Sequence, residues 1–210
     1  MSSPTPSLAE RLQRSALGPA IRGVVSRAKT GRWRAAGSPP PAPPHIKLST
    51  VQEYAKRFKP SAFVETGTYR GDTVAGLAPL VPRVVSIELD ERLATLAKAR
   101  FVDDVNIDIL QGDSAQRLPE IVADLREPAL FWLDGHFSGG ATAGDGACPI
   151  VDELTTVLST DVDHIVLVDD ARLFDGTDAY PTIDEVRELV EKLRPGIGWQ
   201  VEDDIIRLHS

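Results

Sequence analysis

Five polar strand ends and two spaced glycines carry the chemistry in this chain. In Phe63-Val64-Glu65-Thr66-Gly67-Thr68-Tyr69-Arg70-Gly71-Asp72-Thr73, a short apolar run ends in an acid, and two glycines precede a helix-like segment. Glycines there let the backbone turn sharply at the carboxyl end of a strand and leave amides facing outward, which is where a cofactor would sit. Val84-Val85-Ser86-Ile87-Glu88 reads as a second buried strand, and its terminal acid falls 21 residues after Gly67. At the tip of the second strand of a doubly wound sheet, a carboxylate is placed to accept hydrogen bonds from a ribose diol. Three more predicted strands end in Gly112-Asp113-Ser114, Asp134-Gly135-His136 and Asp169-Asp170. One polar strand end is routine, whereas five on the same rim point to a site.

The elements that must position these residues alternate along the chain. The periodicity predicts strands at 62–66, 84–88, 106–110, 129–134 and 164–169, with helices near 72–80, 91–101, 115–126, 147–159 and 182–194. Near-continuous apolar strands between helices imply a parallel sheet covered on both faces. Gly198-Trp199-Gln200-Val201 and Ile205-Ile206-Arg207-Leu208 flank Glu202-Asp203-Asp204 and read as a closing hairpin. The predicted fold class is therefore α/β, a Rossmann-like, doubly wound and mostly parallel seven-stranded sheet with an antiparallel C-terminal hairpin. Ser49 or Thr50 is the predicted cap of a short helix through Phe58, ended by Pro60 ahead of the first strand.

Residues 1–45 read differently. Gly18-Pro19 interrupts a near-helical apolar pattern, and Ser38-Pro39-Pro40-Pro41-Ala42-Pro43-Pro44 is a stiff extended linker. These residues are predicted to be a basic, Pro-rich, partly disordered arm, with a single domain over 46–210. The net charge of −8 conceals the contrast, because residues 1–60 carry 11 Lys/Arg against 2 Asp/Glu and the remainder carry 12 against 29. An acidic body is a poor partner for nucleic acid, which needs a basic face. The arm's Arg- and Ser-rich composition also fits a transit peptide, a membrane-surface helix, a solvated tail or a segment folded back over the acidic body. No apolar stretch approaches the ~20 residues of a membrane helix, so stable membrane insertion is not expected. The single cysteine, Cys148, rules out an internal disulfide or a cysteine-based zinc cluster, and a reducing, cytoplasmic location is expected. A homo-oligomer stays open.

Several chemistries are disfavoured. The nicotinamide fingerprint needs Gly-x-Gly-x-x-Gly, and this chain has Gly67-x-x-x-Gly71 behind Glu65. The small-residue segment Phe137–Pro149 lacks Gly-Lys-Ser/Thr, so it is not a P-loop, and no Gly-x-Ser-x-Gly marks a serine hydrolase. It reads as a lid, an acceptor pocket or a plain connection.

From about residue 46 to the C-terminus, the strand-end residues resemble the class I S-adenosylmethionine-dependent methyltransferases. The resemblance implies that Glu65, Thr66, Gly67, Thr68, Tyr69, Gly71 and Thr73 belong to the loop that holds the methionine end of S-adenosylmethionine, and that Glu88 binds its ribose. It implies that Asp113 accepts from the adenine amine, with Ser114 beside the ring. Leu133-Asp134-Gly135 and Val168-Asp169-Asp170 narrow the likeness to metal-dependent O-methyltransferases of the macrocin O-methyltransferase type, in which Asp134, Asp169 and Asp170 would hold Mg2+. A hard cation of this kind prefers carboxylate oxygens and keeps waters that a substrate oxygen can displace. Asp134 has a second reading as a contact to the cofactor's amino group, and Asp170 as a solvated acid or a cap. His136 is the candidate general base, with an unperturbed pKa of ~6.5, or else orients substrate or Asp134. The macrocin type usually has an acid at that position. Arg172, Phe174 and Tyr180 are placed to line the acceptor side, or Arg172 to pair with Asp175. The resemblance thus implies Mg2+-assisted O-methylation of a small-molecule acceptor, such as a sugar or polyketide hydroxyl. The alternatives are a metal-independent methyltransferase acting on nitrogen or protein, and a non-catalytic cofactor-binding module.

Overall fold

The computed structural model describes residues 29–134, 148–177 and 180–210. The chain divides into two compact units, Met1–Pro39 and Pro40–Ser210. In the first, residues 29–35 are helical and the Trp33 indole Nε1 donates to the Pro39 carbonyl at 2.9 Å. Among the described residues no helix is long and apolar enough to cross a membrane.

The second unit opens with helix α1, Pro44–Phe58. It starts earlier than the predicted Ser49 or Thr50 cap, because Pro43 is the N-cap and Pro44 occupies the first turn, where a missing amide costs nothing. Ser49 instead lies within the helix and donates back to the Ile46 carbonyl at 2.9 Å. Strand β1 (Phe63–Thr66) follows, then α2 (Asp72–Leu77), β2 (Val84–Glu88), α3 (Glu91–Arg100), β3 (Ile107–Gln111), α4 (Ser114–Asp124) and β4 (Leu130–Leu133). The chain ends with α5 (Ile150–Leu158), β5 (Ile165–Val168), a 3₁₀ turn (Ala171–Leu173), α6 (Ile183–Leu193), β6 (Gly198–Glu202) and β7 (Ile205–His209).

Among the described residues, seven strands form one sheet in the order β3-β2-β1-β4-β5-β7-β6. β1 to β5 are parallel, and β7 runs antiparallel to both β5 and β6. This is the predicted Rossmann-like architecture. Alternate residues of each inner strand feed opposite cores. Val64, Val85, Phe131, Leu133, Val166 and Val168 pack with α4, α5 and α6 residues, whereas Phe63, Val84, Leu130, Trp132, Ile165 and Leu167 pack with α1, α2 and α3 residues. Burying each such side chain contributes ~1.5–3 kcal/mol, so register slips are strongly disfavoured and the strand ends are held in fixed relation. The order reverses between β1 and β4, and the crevice for a ligand lies beyond the carboxyl ends at that switch point.

Local caps set the helix starts on this rim. Asp90 accepts from the Leu93 amide at 2.8 Å to start α3, and Asp113 accepts from the Ala115 amide at 2.9 Å to start α4. Thr182 and Glu185 form a reciprocal capping box that starts α6.

Candidate active site

The loop between β1 and α2 is built on positive backbone angles. Gly67 has φ +90°, Tyr69 φ +46° and Gly71 φ +73°. A Cβ on Gly67 would sit 3.5 Å from the Asp134 Cβ, and one on Gly71 would sit 2.6 Å from Phe101 Cε2. The first glycine therefore brings the loop against the end of β4, and the second lets it turn over α3. Glu88 fastens the loop from the neighbouring strand: its Oε2 accepts from the Tyr69 amide at 2.8 Å and its Oε1 from the Asp90 amide at 3.0 Å.

Beneath this loop, Ser86 donates to Glu65 Oε1 at 2.7 Å and shares a hydrogen bond with Thr68 Oγ1. Glu65 is 1% exposed. Burial pushes its pKa up to about 8; the Ser86 hydrogen bond opposes the rise, while the Asp134 and Glu88 charges add to it. The end of β1 thus carries a buried carboxyl whose ionisation is disfavoured. Thr66 accepts from the Asp134 amide through Oγ1 at 3.1 Å, tying the β1 and β4 ends together.

At the other side of the crevice, one oxygen from each of Asp134, Asp169 and Asp170 lies within 4.8 Å of the others. Asp169 and Asp170 are each 3% exposed. Asp170 adopts a left-handed conformation, φ +54°, and its amide donates to Asp169 Oδ1 at 2.7 Å, a turn that aims both carboxyls at one point. Burial and the Asp170 charge raise the Asp169 pKa to about 7 against the pull of Lys47. A set of three carboxylate oxygens fits a hard divalent cation in donor type and charge.

The structure adds Lys47, Asp204 and Glu153, whose roles sequence reasoning did not single out, and gives Arg172 its partners. Lys47 of α1 donates to Asp169 Oδ2 at 2.6 Å and to Asp170 Oδ1 at 2.7 Å. Burial alone would lower its pKa, but the two carboxylates outweigh that and hold it above its ordinary value. Arg172 donates through Nη1 to Asp170 Oδ1 at 2.6 Å and also pairs with Asp204, rather than with Asp175. Asp204 sits in the β6–β7 turn, and its side chain and carbonyl accept from the Arg172 and Ala171 amides at 2.8 and 2.9 Å. The C-terminal hairpin thereby clamps the loop after β5. Glu153, in the first turn of α5, is 1% exposed, hydrogen-bonded to Ser114 and Thr66, and has its pKa raised to about 7 by burial. Its spacing from Ile150, Leu154 and Val157 already put an acid on an apolar helix face.

The predicted residues distribute as follows. Glu65, Gly67, Tyr69, Glu88 and Asp134 converge on the β1–β4 crevice, while Thr73 lies in the first turn of α2. Asp113 spends Oδ1 on capping α4, with Ser114 the first residue of that helix. Trp132 is core, and Phe174 is buried with its ring edge-on to Tyr180. Cys148 is buried, and burial pushes its thiol up to about 11, which fits a packed side chain rather than a nucleophile. His136 and the segment following it lie outside the described residues.

No family profile matches the chain, and no curated protein matches it in sequence. Solved structures do match in fold. An O-methyltransferase from Bacillus cereus in complex with SAH (S-adenosylhomocysteine) aligns with a TM-score of 0.57 at 16% identity, covering 88% of this chain and 90% of that one. TomG, an O-methyltransferase from Streptomyces achromogenes involved in tomaymycin synthesis and solved with SAM, aligns with a TM-score of 0.57 at 19% identity, covering 88% and 89%. The N-methyltransferase NodS from Bradyrhizobium japonicum aligns at 0.51 and 11% identity, covering 79% and 94%. The fold is that of the Rossmann-like methyltransferases, and its neighbours include both O- and N-directed members.

Proposed function

We propose that the protein is an S-adenosylmethionine-dependent methyltransferase that methylates a hydroxyl oxygen of a small molecule with the help of Mg2+. The observation that carries this reading is the pairing, on one rim, of a glycine-turn crevice with a three-carboxylate cluster. The loop Glu65–Gly71 and Thr73 would hold the amino-acid end of the cofactor, Glu88 the ribose diol, and Asp113 and Ser114 the adenine side. A cationic ammonium beside Glu65 would favour its ionised form and return the carboxyl to charge. Asp134, Asp169 and Asp170 would hold the divalent ion.

When bound, the cofactor supplies an electrophilic methyl group and the metal supplies Lewis acidity towards an acceptor oxygen. An acceptor hydroxyl would have to give up its proton in taking that methyl group. The chain's own contribution is positioning. The β1 and β4 ends, held in fixed relation by the sheet, would align donor and acceptor, and His136 is the candidate to take the proton. The acceptor would be a sugar, polyketide or other hydroxylated secondary metabolite in a reducing, cytoplasmic setting.

The Lys47 contacts favour a second reading, a metal-independent methyltransferase in which the ammonium permanently occupies the acidic pair. Methyl transfer from labelled S-adenosylmethionine to a panel of hydroxylated acceptors, with Mg2+ or EDTA, separates the two. The metal-assisted reading expects Asp134→Asn to abolish turnover while S-adenosylhomocysteine affinity is largely kept. Unchanged turnover in that variant rejects it.

A further inference from the structure

Lys47 stands where a divalent cation would have to go. Its ammonium contacts one oxygen of Asp169 and one of Asp170, two of the three carboxylates assigned above to the metal. We propose that Lys47 is the resident cation of the acidic centre and that its ammonium and a divalent metal ion exclude each other there. The inference rests on the metal-assisted reading and adds to it a built-in competitor that sets metal affinity.

Three observations support an exchange rather than a permanent bridge. First, both cations draw on the same two carboxylates, Asp169 and Asp170, and two like charges sharing them repel at short range. Second, the lysine side chain is 20% exposed although its partners are 3% and 4% exposed, so part of the lysine reaches solvent while the carboxylates do not. Third, its departure disturbs little else. Ile46, Val51, Tyr54 and Ala55 bury the inner face of α1, so the helix stays docked while the flexible four-carbon stem swings. Asp170 keeps Arg172, which Asp204 holds independently.

The arrangement has a functional logic. Without metal, two adjacent buried carboxylates would repel each other and distort the turn after β5, and Lys47 offsets that cost and keeps the site formed. Metal entry then expels a positively charged side chain from the acidic pair.

The test is titration of Mn2+ alone into the full-length protein, with free Mn2+ followed by electron paramagnetic resonance. Removing a charge-assisted competitor should tighten binding in Lys47→Met by about tenfold to a hundredfold. Lys47→Arg, which keeps a cation on the pair, should stay near wild type, and Asp169→Asn should abolish binding in either background. If Lys47→Met binds no more tightly than wild type while Asp169→Asn still abolishes binding, the exclusion is wrong and the metal site stands. If neither wild type nor Lys47→Met binds Mn2+, both the exclusion and the metal reading fall. Should Lys47→Met not fold, the wild-type protein decides. The hydrogen-bonded Lys47 ammonium resonance should shift to that of a free lysine on adding Mg2+, and an unmoved signal at saturating Mg2+ overturns the proposal.

Discussion

Replacing Glu65 by glutamine should alter how stability responds to pH. The folded carboxyl is 1% exposed and its pKa lies at about 8, well above the usual value of 4.5, chiefly because burial disfavours its charge. In the unfolded chain the same group ionises near its ordinary value. Between those two pKa values the folded state binds the extra proton, so stability is greatest near the lower end and falls as pH rises, levelling off above about 8. From about pH 5.5 to 7.5, two units at 1.36 kcal/mol each give a loss on the order of 2–3 kcal/mol from this residue. For a chain of this size that corresponds to roughly 5–10 °C in melting temperature. Glutamine has nearly the same shape, keeps an oxygen for the Ser86 hydroxyl and carries no charge. Thermal melts of wild type and Glu65→Gln should therefore nearly coincide at the acidic end and diverge in the variant's favour towards neutrality. Glu153 and Asp169, raised to about 7 each, slope in the same direction but are common to both proteins and cancel in the difference. Parallel pH curves for the two proteins would refute the argument that Glu65 is held neutral.

Three further outcomes follow from the geometry. If the bound amino-acid end of the cofactor brings a cation to Glu65, the affinity for S-adenosylhomocysteine should rise with pH up to about 8 as the proton to be expelled is lost; calorimetry over that range checks it, and a flat profile counts against the contact. Gly71→Ala forces a left-handed alanine and drives a methyl to 2.6 Å from Phe101 Cε2. It should cost about 2–4 kcal/mol in urea denaturation, and a loss below about 1 kcal/mol would mean that the loop relaxes freely. Asp204→Asn keeps the left-handed turn that asparagine tolerates but removes the charge facing Arg172. It should destabilise the protein by about 1–3 kcal/mol, and an unchanged denaturation midpoint would show that the hairpin does not clamp the acidic loop.

Most of the architecture is legible because it is written in local patterns. Mostly apolar runs such as Val84–Ile87 and Leu130–Leu133 alternate with helix-forming segments, and Glu202-Asp203-Asp204 marks the closing turn between two strand-like runs. Those signals lead to the observed sheet without any knowledge of contacts. The acids at the strand ends are legible for the same reason, since a parallel sheet puts every carboxyl end on one rim. What is not legible depends on long-range pairing. Lys47 meets Asp169 across 122 residues and Arg172 meets Asp204 across 32. Lys47 was also hidden by the proline run, which reads as a linker up to Pro44 although its last prolines start a helix. Glu153 is different: an acid among Ile150, Leu154 and Val157 on one helical face was a local clue to a buried polar group.

The most direct test of the central claim is calorimetric titration of S-adenosylhomocysteine into the purified protein, alongside Glu88→Gln. A cofactor crevice at the β1–β4 switch point predicts saturable binding that is weakened about tenfold or more in the variant, which loses charged acceptors for the ribose and for the Tyr69 amide. No saturable binding to the folded wild-type protein would contradict the assignment of this rim to S-adenosylmethionine.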